Sequence, residues 1–308
     1  MQIKVFLFHR VAPLRDAMWD PMDPVLFERV IKSLNKSHHC IRFEDFFRDR
    51  KNFENASKPL CAMVFDDGYK DFIEYALPVL SKYNVPSSMY VVSSCVESQL
   101  PPWTYQLDYC FNHSGKLSFD LETSLLPENL KNTNWNSAQE RINFGKTLKP
   151  FLKKIPDQNR RHITAQIIAS ADDVKIPDNL LMTWKEINQI IAEGVEVGSH
   201  THTHPLLAKI ESEAIIKEEL NESFRLIKQN CNIEPYTISY PIGSYNASVM
   251  KLSQEAGYKI GLAVDQKFYS TESDDIFSIP RVELYNENWI KTSLRMSGVY
   301  TSIKKLIS

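Results

Sequence analysis

The 308-residue chain is poor in glycine, with 9 against 16 prolines, and contains neither a GxGxxG nor a GxxxxGK[ST] pattern. Collagen-like repeats, flexible glycine linkers and the phosphate-cradling loops of nucleotide enzymes are therefore not expected. Cysteine is as sparse: Cys40, Cys61, Cys95, Cys110 and Cys231 are odd in number, scattered and without a CxxC pair. This argues against a disulfide framework and against a cysteine zinc site. Long apolar runs are missing too, since no stretch approaches the roughly 20 residues of a membrane span. The opening MQIKVFLFHRV has too short an apolar run, with charges too near, for a signal peptide, so the expected location is the cytoplasm. Nor does one sign of charge dominate. With 36 Lys+Arg against 38 Asp+Glu the formal net charge is -2, which removes the footprint of a nucleic-acid or anionic-membrane binder.

What is present is an ordinary globular composition, 43% hydrophobic and 24% charged, able to bury a sizeable core. Short apolar runs alternate with amphipathic stretches along most of the chain, which predicts repeated βα units. Strands are expected at 5–8, 61–65, 87–92, 195–198, 236–240, 258–264 and 276–282. Helices are expected at 24–34, 69–83, 184–193, 211–228 and 247–256. The fold class is thus α/β, a distorted (β/α) barrel of about seven parallel strands, whose chemistry belongs at the C-terminal strand ends. One domain over 1–308 is expected, interrupted at about 100–181 by a polar, asparagine-containing segment with helix-like stretches at 138–152 and 160–171. This segment reads as a helical insertion over one rim of the barrel, with a separate small domain as the alternative. The basic pair Lys304-Lys305 is too short to define a feature.

Three motifs stand at predicted strand ends. Val64-Phe65-Asp66-Asp67-Gly68-Tyr69 sets two adjacent carboxylates at the exit of a hydrophobic strand. One can ligate a metal while the other stays free as a base, and a nearby cation would keep both ionised; taken alone, Asp-Asp-Gly is also good turn chemistry. Gly198-Ser199-His200-Thr201-His202-Thr203-His204-Pro205 holds three histidines in five residues. A helical turn or compact loop would bring His200 and His204 to one divalent cation and aim His202 elsewhere. No glutamate follows His200, so the HExxH peptidase pattern fails at its base. Two histidines and one aspartate leave coordination positions open, the catalytic pattern. Ser239-Tyr240-Pro241-Ile242-Gly243-Ser244-Tyr245 is a Pro-x-Gly turn flanked by tyrosines, able to offer a backbone N–H to an oxyanion and an aromatic wall to a sugar.

Together these motifs resemble the polysaccharide deacetylases, the carbohydrate esterase family that carries the NodB-homology domain. The resemblance is specific in Asp-Asp-Gly and His-Thr-x-x-His, moderate in Tyr-Pro-x-Gly, and spans about residues 1–282. It implies a distorted (β/α) barrel and removal of N-acetyl groups from an N-acetylated saccharide. It also implies a divalent metal, usually zinc, with Co2+, Ni2+, Mn2+ or Fe2+ compatible. Asp67, His200 and His204 would be the ligands, Asp66 the general base, and the Ile242 N–H part of the oxyanion site; Tyr240 and Tyr245 are the aromatic candidates beside the substrate. Trp103, Trp184 and Trp289 are further candidates for sugar stacking.

Two positions depart from the family pattern. Ser239 stands where an arginine often lies two residues before the proline, and Arg281 is the candidate to orient the base instead. The late Leu-His motif that often supplies the general acid has no clear counterpart, whereas Phe6-Leu7-Phe8-His9-Arg10-Val11 resembles a permuted arrangement with the acid, His9, on the first strand. The expected reaction is metal-assisted amide hydrolysis on a polysaccharide or glycan precursor, in surface-polysaccharide assembly, releasing acetate. Hydrolysis of a non-sugar linear or cyclic amide and a carbohydrate-binding pseudoenzyme are the alternatives.

Overall fold

The computed structural model describes residues 1–299, so the Lys304-Lys305 pair lies outside the described residues. The described residues form nine strands: β1 (Gln2–Phe8), β2 (His39–Cys40), β3 (Leu60–Phe65), β4 (Ser87–Val91), β5 (Glu196–Ser199), β6 (Thr237–Ser239), β7 (Ile260–Leu262), β8 (Tyr269–Ser270) and β9 (Val282–Glu283). They make one sheet in the order β7-β6-β5-β4-β3-β1-β8, with β2 against β3 and β9 against β1. Every pairing is parallel except that of β1 with β8.

The run from β7 to β1, together with β9, is the parallel array read from the apolar periodicity. It curls because one segment touches both of its ends. Ile279 bridges Leu262 beside β7, while Val282 pairs with Phe6 of β1. The expected continuous strand over 276–282 is not formed. Pro280 has no N–H for a ladder, and the Asp275 carboxylate accepts from the Phe277 N–H, turning the chain before Ile279.

Alternation along the strands sorts side chains into two layers. Ile3, Val5 and Leu7 of β1 join Leu60, Ala62 and Val64 of β3, Tyr90, Ile260 and Leu262 in one apolar cluster inside the curl. Phe6 and Phe8 join Cys61, Met63 and Phe65 in another, packed under the outer helices. All six residues of β3 are buried, which explains why it reads as an unbroken apolar run. Gly198 is required inside the curl, because a Cβ there would meet the Tyr90 ring at 2.6 Å and the Thr237 carbonyl oxygen at 2.7 Å.

The outer helices form where their signals predict. Pro24–Ser37 follows the Asp23 cap and buries Phe27, Val30, Ile31 and Leu34, the i, i+3, i+4, i+7 stripe. Trp184–Ala192 starts at a complete Thr183/Glu186 capping box. The expected helix over 69–83 begins later, as a π-helical turn Phe72–Ala76 followed by the α-helix Leu77–Lys82. Pro78 cannot donate to the ladder and its ring crowds the preceding turn, so the pitch widens there. Between 100 and 181 three helices, Trp103–His113, Ala138–Leu152 and Asp157–Ser170, pack around their own apolar cluster, which reaches the barrel at Leu206 and Ile242. Among the described residues no helix is long and apolar enough to cross a membrane.

Candidate active site

The inward phase of the strands, continued one or two residues past their C-terminal ends, assembles the polar cluster. Leu7 and Val64 face inward, so His9 and Asp66 do as well; Val197 and Val282 face the outer helices, so His200 and Arg281 face inward. Asp67, His200 and His204 are all buried, and their donor atoms lie within 4.8 Å of one another. Asp67 Oδ1 lies 3.5 Å from His200 Nε2 and 3.4 Å from His204 Nε2.

Backbone strain places these donors. Asp67, Thr201, His204 and Ile242 all adopt left-handed φ, at 75°, 66°, 59° and 58°, values costly for non-glycine residues and costliest for the β-branched Thr201 and Ile242. The histidine loop is held by its surroundings. The Glu219 carboxylate accepts from the His202 and Thr203 N–H groups at 3.1 and 2.7 Å, and from the Thr203 hydroxyl. Thr201 Oγ1 accepts from the His204 N–H, and the Trp103 indole donates to the His204 carbonyl. His202 turns away, its ring on Ser93 Oγ at 2.9 Å.

The donor set fits a divalent cation. His200 Nδ1 lies 2.8 Å from the Ser239 carbonyl, an acceptor, so Nδ1 carries the proton and the Nε2 lone pair faces Asp67. A carboxylate oxygen and an imidazole lone pair repel unless a positive charge lies between them. Asp67 Oδ1 is buried with no hydrogen-bond partner, and burial foremost, with Asp66 and Glu283 adding, raises the Asp67 pKa. Burial, then His200 and Arg160, push His204 well below its usual value, so the neutral, ligand-ready imidazole is the resting form.

Asp66 is treated differently although it is adjacent. Its burial acts to raise the pKa, but the charges of Arg281, His200 and His9 and the Arg281 hydrogen bond outweigh it, and the net shift is downward. Arg281 Nη1 donates to Asp66 Oδ1 at 2.9 Å and its Nε to the Ala263 carbonyl at 2.8 Å. Ser239 Oγ donates to Asp66 Oδ2 at 3.1 Å. The serine found where an arginine was expected thus shares the carboxylate with an arginine from the end of the barrel. His9 Nδ1 lies 3.5 Å from the Glu283 carboxylate, and Trp19 meets the His9 ring edge-on at 5.6 Å.

These groups open onto a cleft of about 230 Å³. It is lined by His9, Asp66, Asp67, His200, His204 and Ile242, with Trp19, Tyr69, Tyr105 and Glu283. The aromatic expectations are corrected. Tyr240 is completely buried, because Ser239 takes the inward phase of β6 and sends the next residue to the outer layer, where it packs with Tyr258 and Phe277. Tyr245 stacks on Tyr240 at 5.5 Å and does not line the cleft. Trp103, Trp184 and Trp289 are not among its lining residues either; Trp184 donates to Glu97 and Trp289 lies under Arg29. The aromatics at the cleft are Trp19, from the loop after β1, Tyr69, just after the Asp-Asp-Gly turn, and Tyr105, from the 100–181 segment. Asp108, Lys149 and Lys153, also from 100–181, complete the wall.

Comparison with known proteins agrees with this geometry. The sequence model of the polysaccharide deacetylase family matches residues 53–261, more than half of the chain. Curated relatives include poly-beta-1,6-N-acetyl-D-glucosamine N-deacetylases of Staphylococcus aureus strains, 27% identical over 128 residues. That match spans 39% of this chain and 44% of theirs, less than half the length of those relatives. Among solved structures, the Streptococcus pyogenes deacetylase PplD in complex with acetate superposes with a TM-score of 0.63 at 17% identity, over 96% of this chain and 98% of that one. IcaB from Ammonifex degensii gives 0.61 at 14% identity, over 96% and 97%. At such identities these two likenesses establish the fold, whereas the family match extends to the sequence itself: the chain belongs to the polysaccharide deacetylase family.

Proposed function

We propose that the chain is a divalent-metal-dependent N-deacetylase, which hydrolyses the acetamide of an N-acetylated sugar in a polysaccharide or glycan precursor and releases acetate. The observation that carries this reading is the unequal treatment of two adjacent carboxylates at one cleft, with Asp66 held by Arg281 and Ser239 and Asp67 facing two imidazole nitrogens. Asp67, His200 and His204 would hold the cation, zinc by the chemistry of two imidazoles and one carboxylate. When bound, the cation supplies a Lewis acid beside the amide carbonyl.

The chain's own residues supply the rest. Asp66, kept ionised by Arg281 and fixed in orientation by both its hydrogen bonds, takes a proton from the attacking water. The Ile242 N–H, on a left-handed turn at the cleft wall, donates to the developing oxyanion. His9, steadied by Glu283 and Trp19, gives a proton to the departing amine. Tyr105 and Trp19 offer faces for the sugar ring. In this reading residues 100–181 are an insertion that builds one wall of the cleft of a single barrel domain.

Elemental analysis of the wild type and His200→Ala, with acetate release measured from a panel of N-acetylated saccharides, tests the proposal. One cation per chain that is lost with His200, accompanied by acetate release, supports it. A wild type that takes up no divalent cation on reconstitution overturns it.

A further inference from the structure

Most charged side chains at the cleft meet a partner, and Asp67 is left for a cation. Asp66 is met by Arg281. Both Asp108 oxygens accept from the Lys149 ammonium, at 2.5 and 2.6 Å. Glu283 faces His9 and accepts from the Tyr285 hydroxyl. Asp67 faces the imidazole nitrogens of His200 and His204, which share its cation site and do not cancel its charge. Lys153 is the one charged side chain lining the cleft that has neither a hydrogen bond nor an ion pair within the described residues.

Its placement follows from the helix it closes. Lys153 caps the C-terminus of Ala138–Leu152, four residues after Lys149, so the two side chains share one face and reach the same cleft. Burial foremost, then Lys149, lower the Lys153 pKa, and Glu283 and Asp108 act against that. Lys153 lines the same cleft as His9, Asp66, Asp67, His200 and His204. An unpaired ammonium beside a site attracts an anion to that position, and lysine holds phosphate or carboxylate oxygens as a compact charge.

We propose that Lys153 binds an anionic oxygen group, phosphate or carboxylate, carried by the substrate next to its acetamido sugar. The inference rests on the deacetylase reading and narrows it, making Lys153 a specificity residue that favours acidic or phosphate-linked saccharides over neutral ones. Asp108 contributes by engaging Lys149, so that the anion is directed to Lys153.

The test is calorimetric titration in the Asp66→Asn background, where the ligand is expected to survive, comparing Lys153, Lys153→Arg and Lys153→Met. The ligands are the methyl glycoside of N-acetylglucosamine, N-acetylglucosamine 1-phosphate and the matching 2-acetamido uronate, with acetate release followed separately on the wild type. Lys153 and Lys153→Arg should bind at least one anionic ligand about tenfold more tightly than the neutral one, and Lys153→Met should bring that ratio close to one. A preference for the phosphate alone would assign a phosphate-linked sugar, and for the uronate alone an acidic saccharide. No preference with Lys153 present, or a preference that survives in Lys153→Met, overturns the inference. A Lys153-dependent preference without acetate release from any substrate would keep the anion site and overturn only the deacetylase reading.

Discussion

The interior of the barrel holds two pairs of buried carboxylates, one at each end, and the pair at the C-terminal end lines the cleft. At the C-terminal end lie Asp66 and Asp67; at the N-terminal end lie Glu44, from the helix Phe43–Arg48, and Glu196, the first residue of β5. The same strands serve both, since Thr237 of β6 donates to Glu44 and Ser239, two residues on, to Asp66. The lower pair is satisfied on all sides. Glu196 accepts from the Ser88 hydroxyl at 2.6 Å, from the Glu44 N–H and from Arg42, while Glu44 meets Arg48 at 2.9 Å. The upper pair has an oxygen with no partner and two imidazoles turned toward it. Burial of acidic groups is thus not the mark of the site. The mark is a deficit of positive charge left open to a cleft, where the lower pair is closed by arginines and by the helix that plugs that end.

The comparison breaks most visibly at Asp66. Asp66→Asn keeps the shape of the upper pair and one acceptor oxygen for Arg281, with its NH2 turned to Ser239 Oγ, while removing the base, so it should retain the cation and lose turnover by about 10²- to 10⁴-fold. Stoichiometric cation with near wild-type acetate release would take the base role away from Asp66.

A smaller effect is expected at the support beneath the histidine loop. Glu219→Ala removes the acceptor of two backbone N–H groups and one hydroxyl. It should weaken cation affinity by about 10- to 100-fold, as loss of an outer partner does at metal sites. A competition titration with a chelator measures this, with Glu219→Gln as the conservative control; equal affinity in all three proteins would confine Glu219 to a purely structural role.

The smallest effect belongs to the lower pair and appears in stability. Burial first, then Glu196, raise the Glu44 pKa from 4.5 to about 7. A carboxyl whose pKa is higher in the folded state contributes its stabilisation fully below 4.5 and loses it as the pH rises through about 7. Glu44→Gln cannot ionise, so relative to the wild type it should gain about 1–3 kcal/mol between pH 4.5 and pH 8. Urea unfolding of both proteins at the two pH values checks this, and an unchanged difference would show that Glu44 is not the titrating group.

Much of the fold was legible because its signals are local. Apolar runs such as 61–65, the stripe of Pro24–Ser37 and the Thr183/Glu186 box all lie within a few residues of the structure they specify. The misreadings came where phase or neighbours decide. In 236–240 nearly every side chain could face the core; the inward position went to Ser239, which donates to Asp66, and alternation sent Tyr240 outward. The segment 276–282 looked like a strand by composition, yet Pro280 and the Asp275 turn allow it only bridging contacts. Trp19 and Lys153 went unnoticed because nothing local distinguishes a cleft residue from a surface one.

By itself the sequence determined the exit of the strand at 61–65, the adjacency of Asp66 and Asp67 and the spacing of His200 and His204, for these depend on backbone periodicity over a few residues. The family resemblance pointed to His9 and Arg281 but set no distance between them and the motifs. Only closure of the sheet did that, when Ile279 bridged to Leu262 and Val282 paired with Phe6, setting Arg281 on Asp66 and Glu283 beside His9. The physical reason is that alternation chooses the face a side chain takes, whereas the partner it meets across the barrel is chosen by which strands become neighbours.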